Sequence, residues 1–485
     1  MYSPKGKQNI KMENGKRSEM LAKEKVGKLL CKLSLPSIVA MMVHALYNVV
    51  DTIFVGKGVG TLGIGGIAIV FPVQMIIVAV GQTIGMGGAS RISRRMGARD
   101  PEGAALTFGN MLILAEILGV TVLALGLIAM EPLLSLFGAT EEMLPYAGEY
   151  FQIILVGVPL LTFAFASNDA IRAEGNAKVA MVAMMIGSGL NILLDPLFIF
   201  VLDMGIRGAA IATVISIAIT SFFLLGYFIS GRSEIPIGFR YLRLKANIVR
   251  EILTVGSSSF VMAAAMSFTM ALVNNTLRAL GGPVEIAAFG VIHRMFSFIF
   301  MPIMGLTQGM QPLVGFNYGA RQFHRVRRGV RLTGIASVVI SSTGFLAVLL
   351  FPETIMRAFT NDPALVQVGK EALRYCIFGL PLAGFQIMSG GLFQALGKPI
   401  PALILSLSRQ VLILIPLMVI LPRFIGLKGV WLSFPTADTF SFALALSFLF
   451  WAMRRLLSPP GISEAPIEGS RVPASHFPSS VQEST

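Results

Sequence analysis

Four oxygen-bearing side chains, Asp51, Asn191, Asp195 and Thr213, lie inside long apolar runs of a 485-residue chain. A carboxylate at membrane depth costs about 2.5–3.5 kcal/mol on insertion scales, so each one calls for a structural or functional reason. Asn191 and Asp195 are one helical turn apart and share a face. At about 1.5 Å per residue, Asp51 lies about 27 Å, Asp195 about 24 Å and Thr213 about 21 Å from the side where the chain starts. That places side chains from three helices in one layer. Two neighbouring carboxylates cannot both ionise easily, so the layer suits a shared proton or a hard cation held by oxygens. The expectation is a cation-coupling site for H+ or a transient Na+, with no structural metal.

The other intramembrane polar residues are candidates for substrate contact or proton relay. Glu116 stands in Leu114-Ala-Glu-Ile-Leu118 with no basic partner at helical spacing. His44 and Asn48 precede Asp51 on the same helix, His44 on the same face. Asp438 follows Pro435, where the helix is expected to break and free backbone carbonyls, and Arg409 and Gln410 are its candidate partners. Asp169 and Arg172 are spaced to pair on one helix face. Pro36 should open the first membrane helix and permit a bend, making it a candidate hinge. The expected effect of Pro36→Ala is loss of transport with normal expression.

Enzyme chemistry finds little support. No Gly-x4-Gly-Lys-[Ser/Thr] loop occurs; the stretch from Gly391 to Gly397-Lys398 has the wrong spacing and runs into Pro399. His-Glu-x-x-His is absent from a chain with four histidines. No catalytic residues and no cofactor are expected. Transport driven by an ion gradient is the remaining class.

The elements that must position these residues are membrane helices. Hydrophobic residues make up 54% of the chain and charged residues 13%, far below the roughly 25% charged residues of soluble domains. Twelve apolar runs fit a hydrocarbon core about 30 Å thick, near 33–55, 62–88, 104–129, 148–171, 179–202, 208–230, 252–279, 285–310, 330–350, 370–395, 401–422 and 429–452. The fold class is an all-α polytopic membrane protein of twelve transmembrane helices in two pseudo-symmetric six-helix bundles. The division is a basic cytoplasmic tail over 1–32, an N-lobe over 33–230, a connector over 231–250, a C-lobe over 251–455 and a disordered tail over 456–485. The net charge of +14 could suggest a nucleic-acid partner. Most Lys and Arg instead fall in alternate loops and the N-terminal tail, which puts both termini inside a cell membrane. No nucleic acid is expected, the bilayer is the partner, and a monomer suffices. Cys31 and Cys376 lie far apart and suggest neither a disulfide framework nor a metal motif.

The two bundles repeat at an offset of roughly 222 residues. Gly81-Gln-Thr-Ile-Gly-Met86 returns as Gly305-Leu-Thr-Gln-Gly-Met310, and Gly97-Ala-Arg99 as Gly319-Ala-Arg321. Arg172-Ala-Glu-Gly175 is echoed by Gln394-Ala-Leu-Gly397, and Gly205-Ile-Arg-Gly208 by Gly426-Leu-Lys-Gly429. Twin bundles enclosing a cavity are the geometry of an alternating-access carrier. The repeat partner of Asp51 falls at or near Asn275, so the acid is not repeated.

Val50-Asp-Thr-Ile-Phe-Val-Gly56, Arg172-Ala-Glu-Gly-Asn176, Asn191-Ile-Leu-Leu-Asp-Pro196 and Gly429-Val-Trp-Leu-Ser-Phe-Pro-Thr-Ala-Asp438 resemble the multidrug and toxin extrusion (MATE) family, and within it the MepA-like branch. The likeness spans about residues 30–455. It implies an antiporter exporting amphipathic organic cations in exchange for H+ or Na+. By the same resemblance Asp51, Asn191, Asp195 and Thr213 match the family's N-lobe cation cluster, and Pro36 its bending proline. Another branch carries acids in the seventh and tenth helices, where this chain has Met266 and Ala383. The resemblance therefore places coupling in the N-lobe. A flippase for lipid-linked envelope precursors is the alternative; it should show a cavity ringed by basic residues, whereas most Lys and Arg here lie in loops.

Overall fold

The structure is a computed structural model and describes residues 15–457, apart from the side chains of residues 52 and 60–62. The assignments made for residues 1–14 and 458–485 lie outside the described residues. Twelve helices are long and apolar enough to cross a membrane. They are α1 (Val26–Gly58), α2 (Gly63–Gly97), α3 (Pro101–Ile128), α4 (Leu144–Ala173), α5 (Ala177–Val201) and α6 (Gly205–Ile229), then α7 (Ala246–Leu280), α8 (Pro283–Gly319), α9 (Phe323–Leu350), α10 (Pro363–Ala395), α11 (Pro399–Ile425) and α12 (Leu427–Arg455).

Local chemistry explains many of the ends. Asp100 caps α3 by accepting from the Gly103 N–H at 2.8 Å, and Asp362 caps α10 by accepting from Ala364 N–H at 2.9 Å. The repeat extends to backbone conformation. Arg99 and Arg321 both adopt left-handed φ, 59° and 57°, just beyond α2 and α8. Gly175 and Gly397, and then Gly205 and Gly426, form two further left-handed pairs at corresponding turns.

Three expectations change. Residues 16–32, read as tail, form a helix (Lys16–Lys23) and the first turns of α1. Pro36 therefore lies inside α1 rather than opening it. The apolar run ended where the basic residues began, but the helix continues because lysines are good helix formers outside the hydrocarbon. Finally, α12 runs unbroken through Pro435. Proline removes the donor for the Trp431 carbonyl, and the Cys376 thiol faces that oxygen at 3.6 Å.

The lobes meet along a seam at one end of the molecule, here called the connector end because residues 231–250 lie there. The repeated glycines build it. A Cβ on Gly97 would sit 1.9 Å from the Phe316 carbonyl oxygen, and one on Gly319 would sit 2.0 Å from that of Arg94. These contacts are pseudo-twofold mates. Gly87 meets the Ile252 carbonyl and Gly256 that of Thr83, joining α2 to α7; Gly305 and Gly309 meet Ile38 and Ser34, joining α8 to α1. Lipid-embedded helices lack a hydrophobic drive to associate, so close backbone approach over glycine supplies the attraction. Glu251 of α7 adds ion pairs with Arg91 and, at 2.8 Å, Arg94 of α2.

Candidate functional site

The four candidates from α1, α5 and α6 come together in the half of the N-lobe away from the connector end. The Asp51 and Asp195 carboxyls lie beside each other, and two carboxylates at such close range cannot both ionise easily. Asp195 is fully buried and Asn191 almost so. With its amide oriented to satisfy both ends, Asn191 donates to Asp195 Oδ2 at 2.8 Å. Its carbonyl accepts from Thr213 N and Oγ1, each at 3.2 Å. The Thr213 hydroxyl also lies 3.0 Å from the Ala209 carbonyl.

Three more side chains complete the cluster, and sequence reasoning missed them. Tyr47, one turn before Asp51, lies beside Thr213 and near both carboxyls. Tyr150 of α4 lies close to both carboxyls, and its hydroxyl accepts from Gln74 Nε2 of α2 at 3.2 Å. The one-turn spacing of Tyr47 from Asp51 was a usable signal. Nothing in the sequence aligned Tyr150 or Gln74 with them. Two carboxyls, an amide and hydroxyls can hold a proton, or exchange it for a cation that prefers oxygen ligands.

In the C-lobe the repeat register places Asn275, Ile413, Leu417 and Phe434 opposite this cluster. Ile413, Leu417 and Phe434 pack into an apolar core around Val273, Leu414 and Trp431. The polar layer is thus one-sided. Met266 is exposed and Ala383 buried.

The remaining candidates separate from this cluster. Asp438 pairs with Arg409, Arg409 Nε donating to Asp438 Oδ1 at 2.5 Å. Arg409 sits on a π-helical stretch of α11 (Ser408–Leu414), with its guanidinium 5.9 Å from the Phe300 ring centre. Gln410 does not join that pair; its Oε1 is buried with no hydrogen-bond partner. Asp169 pairs with Arg172, which also reaches Gln308 of α8 across the seam. His44 packs near the Tyr47 ring at 5.8 Å, and its carbonyl accepts from Asn48 Nδ2 at 2.7 Å. Glu116, partly exposed on α3, has no ion-pair partner among the described residues.

The MatE family model matches residues 36–197 and again 258–420, once in each lobe and in the repeat register. The chain belongs to the MatE family. Its family is one of transporters. Multidrug export protein MepA of Staphylococcus haemolyticus is 28% identical over 89% of this chain and 94% of its own length. Among solved structures, the MATE multidrug transporter DinF-BH in complex with R6G is 44% identical, with a TM-score of 0.83 over 88% of this chain and 96% of that one. An outward-facing MATE transporter of the MOP superfamily is 32% identical, with a TM-score of 0.85 over 90% of this chain and 97% of that one. Like other MATE transporters, this multi-pass protein couples transport to an ion.

Proposed function

We propose that this MATE protein is an antiporter of the bacterial plasma membrane that exports amphipathic organic cations in exchange for H+ or Na+. The observation that carries the reading is the pairing of half-buried Asp51 with fully buried Asp195, with Asn191 and Thr213 in contact around it. Helix α1 supplies the coupling. Its connector half docks on α8 of the other lobe through Ser34 and Ile38, and its far half carries Asp51 into the N-lobe cluster. Pro36 lies inside that docking segment, where a missing backbone hydrogen bond lets the helix bend. Cation occupancy at Asp51 then biases how α1 is held, and with it the seam. Lys and Arg concentrate at the connector end, which makes that end cytoplasmic. With the seam closed there, the molecule faces outward, as does the outward-facing MATE relative described above. The class of cargo follows DinF-BH, solved with R6G.

Ethidium efflux from proteoliposomes, driven separately by a proton and by a sodium gradient, tests the reading. Asp51→Asn and Asp195→Asn should each slow gradient-driven efflux at least about tenfold, equivalent to roughly 1.4 kcal/mol of lost coupling. Normal efflux by both variants under either gradient would remove the N-lobe site. Pro36→Ala should insert normally and transport poorly; unchanged transport would remove the hinge.

A further inference from the structure

The helix Lys16–Lys23 crosses the seam between the lobes, and its contacts with the two sides differ in chemistry. On the N-lobe side Arg17 Nη1 donates to Glu174 Oε1 and to Tyr227 Oη, each at 2.9 Å, and Nη2 donates to the Arg232 carbonyl at 3.0 Å. Ser18 Oγ donates to Glu234 Oε2 at 2.6 Å. On the C-lobe side Arg325 Nη2 donates to the Leu21 carbonyl at 3.0 Å and to that of Glu24 at 2.7 Å. Asn317 Nδ2 reaches the same Leu21 carbonyl at 3.2 Å. A cation at the last carbonyls of a helix is favourably placed against its dipole. The Leu21 side chain is fully buried among Leu313, Val314 and Val326, and also sits against Gly175 of the N-lobe. Between this helix and the seam lies a recess of about 680 Å³ lined by Met96, Gly97, Arg99, Phe316, Gly319 and Arg321.

We infer that this helix is a latch on the connector-end gate, with Arg17 its fixed anchor and Arg325 its release point. The inference rests on the alternating-access reading above, because only lobes that part at this end would need to break it. The two sides cannot both persist once the lobes separate. Glu174 is fully buried, and losing Arg17 would leave its carboxylate uncompensated. Arg325 binds neutral carbonyls and keeps Asn317 Oδ1 at 2.7 Å after letting go. The helix therefore leaves with the N-lobe, and the caps on Leu21 and Glu24 open first.

Spin labels on Glu102→Cys and His324→Cys, exposed repeat mates on either side of the seam, report its opening in lipid vesicles. The full chain would carry Cys31→Ser and Cys376→Ser. Arg325→Ala should raise the long-distance population at least about threefold, and Arg325→Lys, which keeps a cation near the carbonyls, should restore most of the closed population. Arg17→Gln should also raise it and serves if Arg325→Ala inserts poorly. An unchanged distance distribution in both Arg325→Ala and Arg17→Gln overturns the latch. Ethidium efflux by the unlabelled wild type is measured alongside. Its absence would count against the export reading, while the distances still decide the latch.

Discussion

At the scale of single residues, the buried charges of this protein divide by whether they have a counter-charge. Asp438 is matched by Arg409, and Glu174 by Arg17. Asp51 and Asp195 have no ion-pair partner among the described residues. Removing one partner of a buried pair leaves the other uncompensated, a loss of about 3–5 kcal/mol, whereas replacing both with apolar residues is often near neutral. Asp438→Leu should accordingly destabilise the detergent-solubilised protein by about 3 kcal/mol, and Arg409→Leu/Asp438→Leu should recover most of that. Equal losses in the single and double variants would show that the pair carries no such penalty. Glu174 lies in the turn after α4, and burial raises its carboxyl above the usual 4.5, with Arg17 opposing the shift. A raised carboxyl favours the fold fully below 4.5, and that contribution is lost as pH rises through its folded value. The ion pair of Arg17 with Glu174 helps only while Glu174 is ionised. The melting-temperature deficit of Arg17→Gln should therefore be larger at about pH 8 than at about pH 5. A deficit independent of pH would place the value of Arg17 in its other contacts.

At the scale of elements, the glycine repeat acquires a physical cause that the sequence could not express. Repetition located the glycines, but their partners lie in the opposite lobe, and a linear pattern carries no information about which carbonyl a glycine will approach. Gly97→Val and Gly319→Val each place a side chain into a carbonyl about 2 Å from the built Cβ, so the seam must open. Each should increase labelling of Ala98→Cys, which lines the recess, when membranes are exposed from the connector end. Wild-type labelling rates would mean that the seam contact does not hold this end closed. The same limit governed the helix ends. Hydropathy registers the hydrocarbon-crossing portion, so α2 and α8 were expected to stop at 88 and 310, whereas both continue to Gly97 and Gly319. The short helices Met130–Leu136 and Pro352–Arg357 fell below any such window. Asp51, Asn191, Asp195 and Thr213 were legible because a carboxylate is conspicuous in an apolar run and depth can be counted from a helix end. Tyr150 and Gln74 were not, since both residue types are ordinary in membrane helices and only the packing of α2 and α4 brings them to the site.

At the scale of the whole molecule, a twofold scaffold carries one-sided chemistry. The lobes share their seam glycines and their left-handed turns. The polar cluster of the N-lobe faces, in register, an apolar core in the C-lobe. In the proposed cycle, symmetry of the backbone would let two bundles rock against each other, and asymmetry of the side chains would give that motion one cation-sensitive lobe. The direction of transport then depends on which face of the membrane the connector end occupies. The proposed orientation, argued from its basic residues, puts it in the cytoplasm. Single cysteines in a background lacking Cys31 and Cys376 decide this. Glu141→Cys, exposed at the far end, should react with an impermeant maleimide in intact cells. Arg243→Cys, exposed in the connector, should react only after permeabilisation. The reverse pattern would turn the open face toward the cytoplasm, and the same cation cluster would then drive uptake rather than export.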